Sequence, residues 1–332
     1  MAKKNTFARR TPTDIALHVW GIIVFIYLFV PIAVIIAYSF NTGRVLANFR
    51  GFGLDAYAML GLKLDGGGGT AGSSILPINS PGKEGYDYGK APDDFSSAGA
   101  SIKVRAFDTV LRAGDLFLSN PVIAGGESRM LPQTFRGFSL TNNSIDNLML
   151  EAGQASFTKP YNQSGHRRID TFYGSLADDR DSRHLNWAGA AWTPLEGLSS
   201  NLYASELKDI WNQYYFGANH LLGDNAVLGL NTGLNYYKTR DAGQSKLGAI
   251  DNDTFSLSLA LTHQAHTVSV AYQQVNGNEY FDYLHDTNAI FLANSLLSDF
   301  NGPNEKSLQI GYVLNMAPFG VPGLKFNLYN AR

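Results

Sequence analysis

An alternation of apolar and polar residues with a period of two dominates the chain after Tyr57. The stretch 254–262 alternates without a break, with Phe and Leu at every second position and Thr, Ser or Ala between them. Successive side chains of a β-strand point to opposite faces, so this pattern predicts strands with one apolar face and one polar face. About fourteen such segments lie between Tyr57 and Tyr329, many of them eight to twelve residues long.

Two architectures fit these strands. A soluble sandwich turns the apolar faces inward, whereas a transmembrane barrel turns them toward lipid and surrounds a polar lumen. The segment lengths match the 9–11 residues that a strand needs to cross a bilayer. Tight turns at 107–109 and 264–265 also alternate with long polar loops at 65–97, 117–134 and 276–306. This alternation of short and long connections favours an outer-membrane barrel over the soluble fold.

The first part of the chain has a different pattern. Residues 15–43 contain no Asp, Glu, Lys or Arg, and 20–40 are almost wholly apolar, which predicts a membrane-spanning helix. Trp20 and Tyr38 fall at its two ends as interface anchors, and Pro31 kinks it. The alternatives are a cleaved signal peptide and a buried soluble helix. Under the positive-inside rule, the N-terminus is cytoplasmic because basic residues precede the helix: Lys3, Lys4, Arg9 and Arg10.

Composition narrows the class of protein. Of the 332 residues only 16% are charged, against about 25% in an ordinary soluble domain, and 34 are Gly. The absence of Cys excludes disulfides and thiolate metal centres. A mean hydropathy of −0.12 excludes a polytopic helical membrane protein. Residues 1–60 carry a net charge of +4 and the rest −6, and neither value indicates a nucleic-acid partner.

A family resemblance is carried by long segments in order along the chain. The segments are GFGLDAYAMLGLKLDGG (51–67), NPVIAGGESRMLPQTFRGF (120–138), NLMLEAGQASF (147–157), NLYASELKDIWNQYYFGAN (201–219), HTVSVAYQQVNGNEYFDYL (266–284), IFLANSLLSDFNGPNEKS (290–307) and FGVPGLKF (319–326). Residues 51–329 thereby resemble the OprD-type porins of Gram-negative outer membranes. The resemblance implies a monomeric barrel of about 18 strands, narrowed by an inward-folded loop, for small carboxylate-bearing solutes, amino acids or peptides.

Two departures from this family affect the interpretation. The resemblance begins near the family's third strand and stops before its last three, so we expect an incomplete barrel of about 14 strands. Residues 1–57 instead resemble the first transmembrane segment of polyamine-type ABC-transporter permeases, through an apolar helix followed by Ser-Phe-Asn, a basic residue and Gly-Phe. The predicted organisation is therefore a fusion, with a permease-like anchor over 1–50 and a porin-like, all-β segment over 51–332.

Four arginines are the candidate pore-lining residues. Arg129 lies in the predicted constriction loop 117–134, and the neighbouring strands carry Arg105, Arg112 and Arg136. Arginine binds carboxylates through charge-assisted, often bidentate hydrogen bonds, and a row of fixed cations selects anions. The resemblance places the acidic residue of the opposite wall at Asn288, with Asp286 as a substitute. We therefore expect a less selective pore than the family pattern implies.

The sequence as a whole predicts an outer-membrane porin with no catalytic residues, cofactor or metal. Its expected partners are the lipid bilayer, lipopolysaccharide and small anionic or zwitterionic solutes, and it is expected to be a monomer. The alternatives are a fragment of an inner-membrane permease, whose helix would retain the chain in the inner membrane, and a nonfunctional chimera.

Overall fold

The computed structural model describes residues 20, 24, 49–62, 94–127, 129, 131–173, 181–287, 290–295 and 298–332. The chain divides into two compact units, 1–49 and 50–332. In the first unit Trp20 and Val24 are helical and exposed. The other predicted anchor residues, Pro31 and Tyr38, lie outside the described residues, as does most of the predicted helix. Within the described part, no helix has the length and apolar character that a membrane crossing requires.

The second unit is built almost entirely from β-strands. They are β1 (Phe49–Leu62), β2 (Asp94–Ala106), β3 (Thr109–Leu116), β4 (Ser119–Asn120), β5 (Ile123–Ala124), β6 (Thr134–Ile145), β7 (Leu148–Lys159), β8 (Arg167–Arg168), β9 (Leu185–Leu195), β10 (Leu198–Leu207), β11 (Trp211–Asp224), β12 (Leu228–Asp241), β13 (Asp251–His263), β14 (His266–Asn276), β15 (Lys306–Asn315) and β16 (Lys325–Ala331). A short 3₁₀-helix, Ala317–Phe319, lies between β15 and β16.

Thirteen of these strands form one antiparallel meander in which each strand pairs with its neighbours in chain order. The strand β8 pairs with β7, while β4 and β5 form a separate small hairpin. The turns between β2 and β3 and between β13 and β14 are tight, as predicted, and they use positive φ at Phe107 (53°) and Gln264 (53°). The longest described connections lie at the opposite end of the sheet, at 117–133 and 277–305.

The two faces of the sheet differ in the way that a membrane barrel requires. On β13, Leu257, Leu259 and Leu261 are 49%, 48% and 49% exposed, whereas the polar residues Thr254 and Ser256 are 0% exposed. The apolar face is therefore turned outward and the polar face inward. This arrangement is opposite to that of a soluble sandwich and confirms the barrel-type pattern predicted from the alternation.

Tyr and Trp residues lie near the ends of many strands, which predicts aromatic bands at the membrane interfaces, but several of these side chains face inward. Trp192 and Tyr214 are exposed on the outer face, but other members of the set are buried on the inner face: Trp187, Trp211, Tyr215 and Tyr237. The register explains the difference. Tyr215 pairs with Tyr237 across β11 and β12, and both occupy the alternate positions of their strands whose side chains face inward, which we call the inward parity. These aromatic side chains pack against loops inside the sheet and are not available to lipid.

Two connections fold into the concave side of the sheet. We call residues 117–133, which contain β4 and β5, the hairpin loop, and residues 277–305 the long inner loop. Ile123 of the hairpin loop and Phe281 of the long inner loop share a buried cluster with Trp211 and Tyr237. The Tyr237 hydroxyl on β12 donates a hydrogen bond of 2.9 Å to the carbonyl of Pro121. The hairpin loop follows β3, whereas Tyr237 lies on the distant strand β12. A contact between them therefore requires the sheet to curve around both loops.

Candidate solute pathway

The hairpin loop and the long inner loop are bonded to each other. Gln133 Nε2 donates to the His285 carbonyl at 3.0 Å, and Thr287 Oγ1 donates to the Ala124 carbonyl at 2.6 Å. A Cβ added to Gly126 would lie 2.0 Å from the Asp286 carbonyl oxygen, so this close approach requires glycine. The two loops therefore form one constricting body inside the sheet.

Asp282 attaches the long inner loop to the sheet. Its carboxylate, only 4% exposed, accepts hydrogen bonds from Trp211 Nε1 (3.2 Å) and the Tyr173 amide (3.3 Å). Gln213 Nε2 donates to the Asp282 carbonyl at 3.2 Å. Burial raises the pKa of Asp282 to about 6, although the donors around the carboxylate act in the opposite direction. The attachment of this loop is therefore sensitive to pH.

We expect the long inner loop to be held more firmly at pH 5 than at pH 7.5. The folded-state pKa of Asp282 lies above its ordinary value of 3.8, so the folded protein binds the proton more tightly and stability falls as pH rises toward 6. The two pKa values correspond to a total loss of stability of roughly 3 kcal/mol between pH 3.8 and pH 6, and roughly half of it falls between pH 5 and pH 7.5. Limited proteolysis of the loop should be slower at pH 5, and Asp282→Asn should abolish this difference. If proteolysis of the loop depended equally on pH in the wild-type protein and in Asp282→Asn, Asp282 would not be the group responsible.

A second cluster joins the long inner loop to the segment between β7 and β9. Arg167 pairs with Asp170 (2.8 Å) and with Asp286 (2.8 Å), and both carboxylates are almost completely buried. His285 Nδ1 lies 3.2 Å from Asp170. Asp286, predicted as an acidic pore residue, is thus engaged with a cation. Arg167 and Asp170 were absent from the predicted site because nothing in their local sequence indicates a partner so distant along the chain.

Arg129 lies close to this cluster. Its guanidinium carbon is 5.4 Å from the centre of the Tyr161 ring. Burial raises the pKa of Tyr161, and the carboxylate of Asp286, with which Tyr161 forms a hydrogen bond, raises it further. The structure therefore brings the predicted Arg129 and Asp286 into one neighbourhood around Tyr161. Asn288 lies outside the described residues.

Arg105 and Arg112 lie on a different part of the wall. On β2, Ile102 is exposed on the outer face, so Lys103 and Arg105 have the inward parity. Lys103 pairs in register with Arg112 on β3, which places Arg112 on the same inward face. Lys103 forms an ion pair of 2.7 Å with Asp55. Strands β2 and β3 therefore supply three cations to one inner wall.

Arg136, the fourth predicted arginine, is engaged in an ion pair. Its Nε and Nη2 donate to the two carboxylate oxygens of Asp115 at 3.0 and 3.1 Å. His166 Nε2 also lies 2.7 Å from Asp115, and burial lowers the pKa of His166 although the neighbouring carboxylate opposes this effect. The charge of Arg136 is therefore largely neutralised by Asp115.

A cavity of about 380 Å³ opens beside this wall. It is bounded by β1, β2, β3, β6 and the start of the hairpin loop, and its lining residues are Asp55, Ala56, Tyr57, Ser101, Arg112, Asp115, Leu116, Phe117, Leu118 and Ser139. The sequence predicted only Arg112 among these. Ser101 and Ser139 share the inward parity of their strands, and this signal was available in the alternation.

An outward apolar face, an inward polar face and loops folded into the interior together define a porin-type β-protein. Residues 40–332 match the family model described as outer membrane porin, OprD family, and the chain belongs to this family. Its members are outer-membrane porins, which are passive channels and not enzymes.

Individual relatives agree with this assignment. Porin D of Pseudomonas aeruginosa is 40% identical over 285 residues, which are 83% of this chain and 62% of Porin D. The crystal structure of P. aeruginosa OccD3 (OpdP) is 44% identical with a TM-score of 0.70, over 73% of this chain and 59% of that one. The crystal structure of a BenF-like porin from Pseudomonas fluorescens Pf-5 is 28% identical in sequence and has a TM-score of 0.77. The match covers 87% of this chain and 71% of that porin. The chain thus spans about three fifths of the first two.

The family match also bears on the N-terminal segment. It begins at residue 40, eleven residues before the predicted start of the porin-like part, and includes 40–57 of the stretch that resembles a permease. The predicted permease-like segment over 1–57 therefore gains no support from these relatives.

Proposed function

We propose that the chain forms an outer-membrane channel for passive, selective uptake of small carboxylate-bearing solutes such as amino acids or peptides. The observation that carries this proposal is the cationic inner wall of β2 and β3, which contains Lys103, Arg105 and Arg112. Guanidinium groups bind carboxylates through paired, charge-assisted hydrogen bonds, and fixed cations in a pore favour anions.

The ion pairs of the interior support a preference for anions. Asp55 is paired with Lys103, Asp115 with Arg136, and Asp286 with Arg167. In each of these three pairs the carboxylate is offset by a cation, and Arg105 and Arg112 are further cations of the inner wall that can act on a passing solute. We infer that the pore recognises the carboxylate of a solute more strongly than any amino group.

The outer surface suits a membrane partner. Lys238 pairs in register with the exposed Tyr214 and lies at the end of the sheet that carries the long loops, beyond the apolar band. We propose that the bilayer covers the apolar band and that lipopolysaccharide phosphates contact Lys238, which is also paired with Asp253 at 3.2 Å. A monomer is the proposed state.

The test is reconstitution of the full chain in planar bilayers under a KCl gradient. We expect discrete conductance steps and a reversal potential that indicates preference for chloride. Arg105→Gln should lower the anion-to-cation permeability ratio by about a factor of two, as expected for removal of one of a few fixed cations. Arg183→Gln, on an exposed loop, is the matched control and should leave this ratio unchanged.

Two results would overturn the proposal. Absence of any conductance would contradict the channel, and an unchanged permeability ratio in Arg105→Gln would contradict the role of the cationic wall. Membrane fractionation addresses the permease alternative, because recovery in the inner membrane alone would favour it.

A further inference from the structure

The connection between β15 and β16 is longer and more apolar than the other described turns at its end of the sheet. It comprises residues 316–324, which we call the apolar turn, and it contains no Asp, Glu, Lys or Arg. The amide of Asn315 donates to the Ala265 carbonyl at 2.8 Å, so the apolar turn lies beside the tight turn of β13 and β14. Acidic residues lie in or beside other turns at this end: Asp108, Asp146, Glu196 and Asp224.

The side chains of the apolar turn are exposed. Phe319, Val321 and Leu324 are 58%, 45% and 41% exposed. The short 3₁₀-helix Ala317–Phe319 within the turn has no buried residue. Because exposed apolar side chains that cluster on a folded protein mark a surface for a partner or a membrane, this turn needs an apolar environment.

The apolar turn continues the outward face of the two strands that it joins. Leu314 on β15 pairs in register with Phe326 on β16, and Leu314 has the outward parity of Ile310, which is 56% exposed. Between Lys306 and Lys325 the chain has no charged residue. The lipid-facing band therefore runs into the turn without a charged boundary, and this continuity favours lipid over a soluble partner.

The backbone of the apolar turn is hydrogen-bonded almost entirely within itself. Pro318 and Pro322 have no N–H, and every other amide except that of Gly323 donates locally. The bonds run from Met316 to the Leu324 carbonyl (3.0 Å), from Ala317 to Asn315 Oδ1 (3.1 Å), from Phe319 and Val321 to the Met316 carbonyl (3.0 and 3.1 Å), from Gly320 to the Ala317 carbonyl (3.1 Å) and from Leu324 to the Val321 carbonyl (3.4 Å). A segment can enter an apolar medium when its polar backbone groups are already paired, and this turn meets that condition.

We propose that the apolar turn is a membrane anchor, in which Phe319, Val321 and Leu324 insert into the phospholipid leaflet at the tight-turn end of the sheet. The inference rests on the proposed channel, because the sheet must span the bilayer, and goes beyond it, because a connection makes the contact. Interfacial segments bury their apolar side chains about 5–10 Å into the boundary between headgroups and acyl chains. Since the turn carries no charge, its insertion is independent of the charge of the lipid headgroups.

The test uses single cysteines, because the chain contains none. The fluorophore NBD is attached in three variants of the full chain: Val321→Cys in the apolar turn, Leu259→Cys in the lipid-facing band and Asp146→Cys in another turn at the same end. Each is reconstituted in phosphatidylcholine vesicles, where quenching by nitroxide-labelled lipid is compared with quenching by iodide on both sides of the membrane. We expect lipid quenching at position 321 to exceed that at position 146 severalfold and to resemble that at position 259.

Further variants test whether the apolar side chains cause the insertion. Adding Phe319→Ser and Leu324→Ser to the Val321→Cys protein should lower quenching by lipid severalfold and raise quenching by iodide. Val227→Ser, in the turn between β11 and β12, is the matched control and should change neither value. Replacing a third of the lipid with phosphatidylglycerol should leave the quenching at position 321 unaltered, and a marked dependence on this anionic lipid would contradict an apolar contact.

The outcomes separate the anchor from the channel. If the label at position 321 is as accessible to iodide as that at position 146 while the label at position 259 is quenched by lipid, the anchor is refuted and the membrane-spanning sheet stands. If the label at position 259 is also open to iodide and closed to lipid, the proposed channel fails and the anchor fails with it. Lipid quenching at position 321 that survives the two serine substitutions would also overturn the anchor.

Discussion

Replacing Trp211 with alanine is expected to release the long inner loop from the sheet. Trp211 is fully buried at the start of β11, and its indole N–H donates to Asp282 of this loop. Removal of a buried tryptophan side chain costs about 3–5 kcal/mol, mostly from the cavity that it leaves. Here the cavity would lie between the wall and the loop, so the loop should detach before the sheet unfolds.

Single-channel recording and limited proteolysis measure this effect. We expect Trp211→Ala to raise the conductance and its noise and to expose the 277–305 segment to protease. Trp211→Phe keeps most of the packing but removes the hydrogen bond to Asp282, so its effects should be intermediate. If Trp211→Ala retained wild-type conductance and protease resistance, the loop would have to be held by other contacts, such as those of Gln273 with the carbonyls of Asp299 (2.8 Å) and Phe300 (2.9 Å).

Replacing Arg167 with methionine is expected to have a comparable effect through electrostatics. The side chains of Asp170 and Asp286 are 1% and 6% exposed, and Arg167 is paired with both. Breaking a buried ion pair by removing one partner costs about 3–5 kcal/mol, because an uncompensated charge stays buried. We therefore expect Arg167→Met to destabilise the contact between the long inner loop and the segment before β9.

The matched control is its neighbour in the sequence. Arg168 is exposed and lies 4.6 Å from the centre of the Phe157 ring, so Arg168→Met should have little effect on stability. Chemical denaturation in detergent gives the free energies. Adding Asp286→Asn to Arg167→Met should recover part of the loss, since it removes one of the two stranded charges. Equal losses in the Arg167 and Arg168 variants would argue against a structural role for the pair.

The strand pattern was predictable because it is a local property. Each of Leu257, Leu259 and Leu261 reports its face through its immediate neighbours, so the alternation predicted the strands. The lengths of the strands and of their connections then favoured a membrane barrel over a sandwich. Parity also carried information that went unused, because Trp211 and Tyr215 have the inward parity of the polar residue Gln213 between them. Position near a strand end was a weaker indicator than parity.

The pairing of loop residues was not predictable in this way. Arg167 and Asp286 are 119 residues apart, and nothing in the alternation specifies where a connection of nearly thirty residues will fold back. The resemblance to the family identified the constriction segment and Arg129. It did not indicate that Asp286 pairs with Arg167, which lies in the segment between β7 and β9, because this pairing depends on the tertiary structure.

The constriction also determines the order in which the molecule can fold. Gln133 and His285 are 152 residues apart, and Thr287 and Ala124 are 163 apart. Contacts of such high sequence separation form slowly, because the chain entropy of closing the loop is lost before any bond compensates for it. The intervening strands pair with their neighbours, and each pairing brings the two loops nearer. We therefore expect the contacts between the two loops to form only after the strands that separate them in the chain have paired.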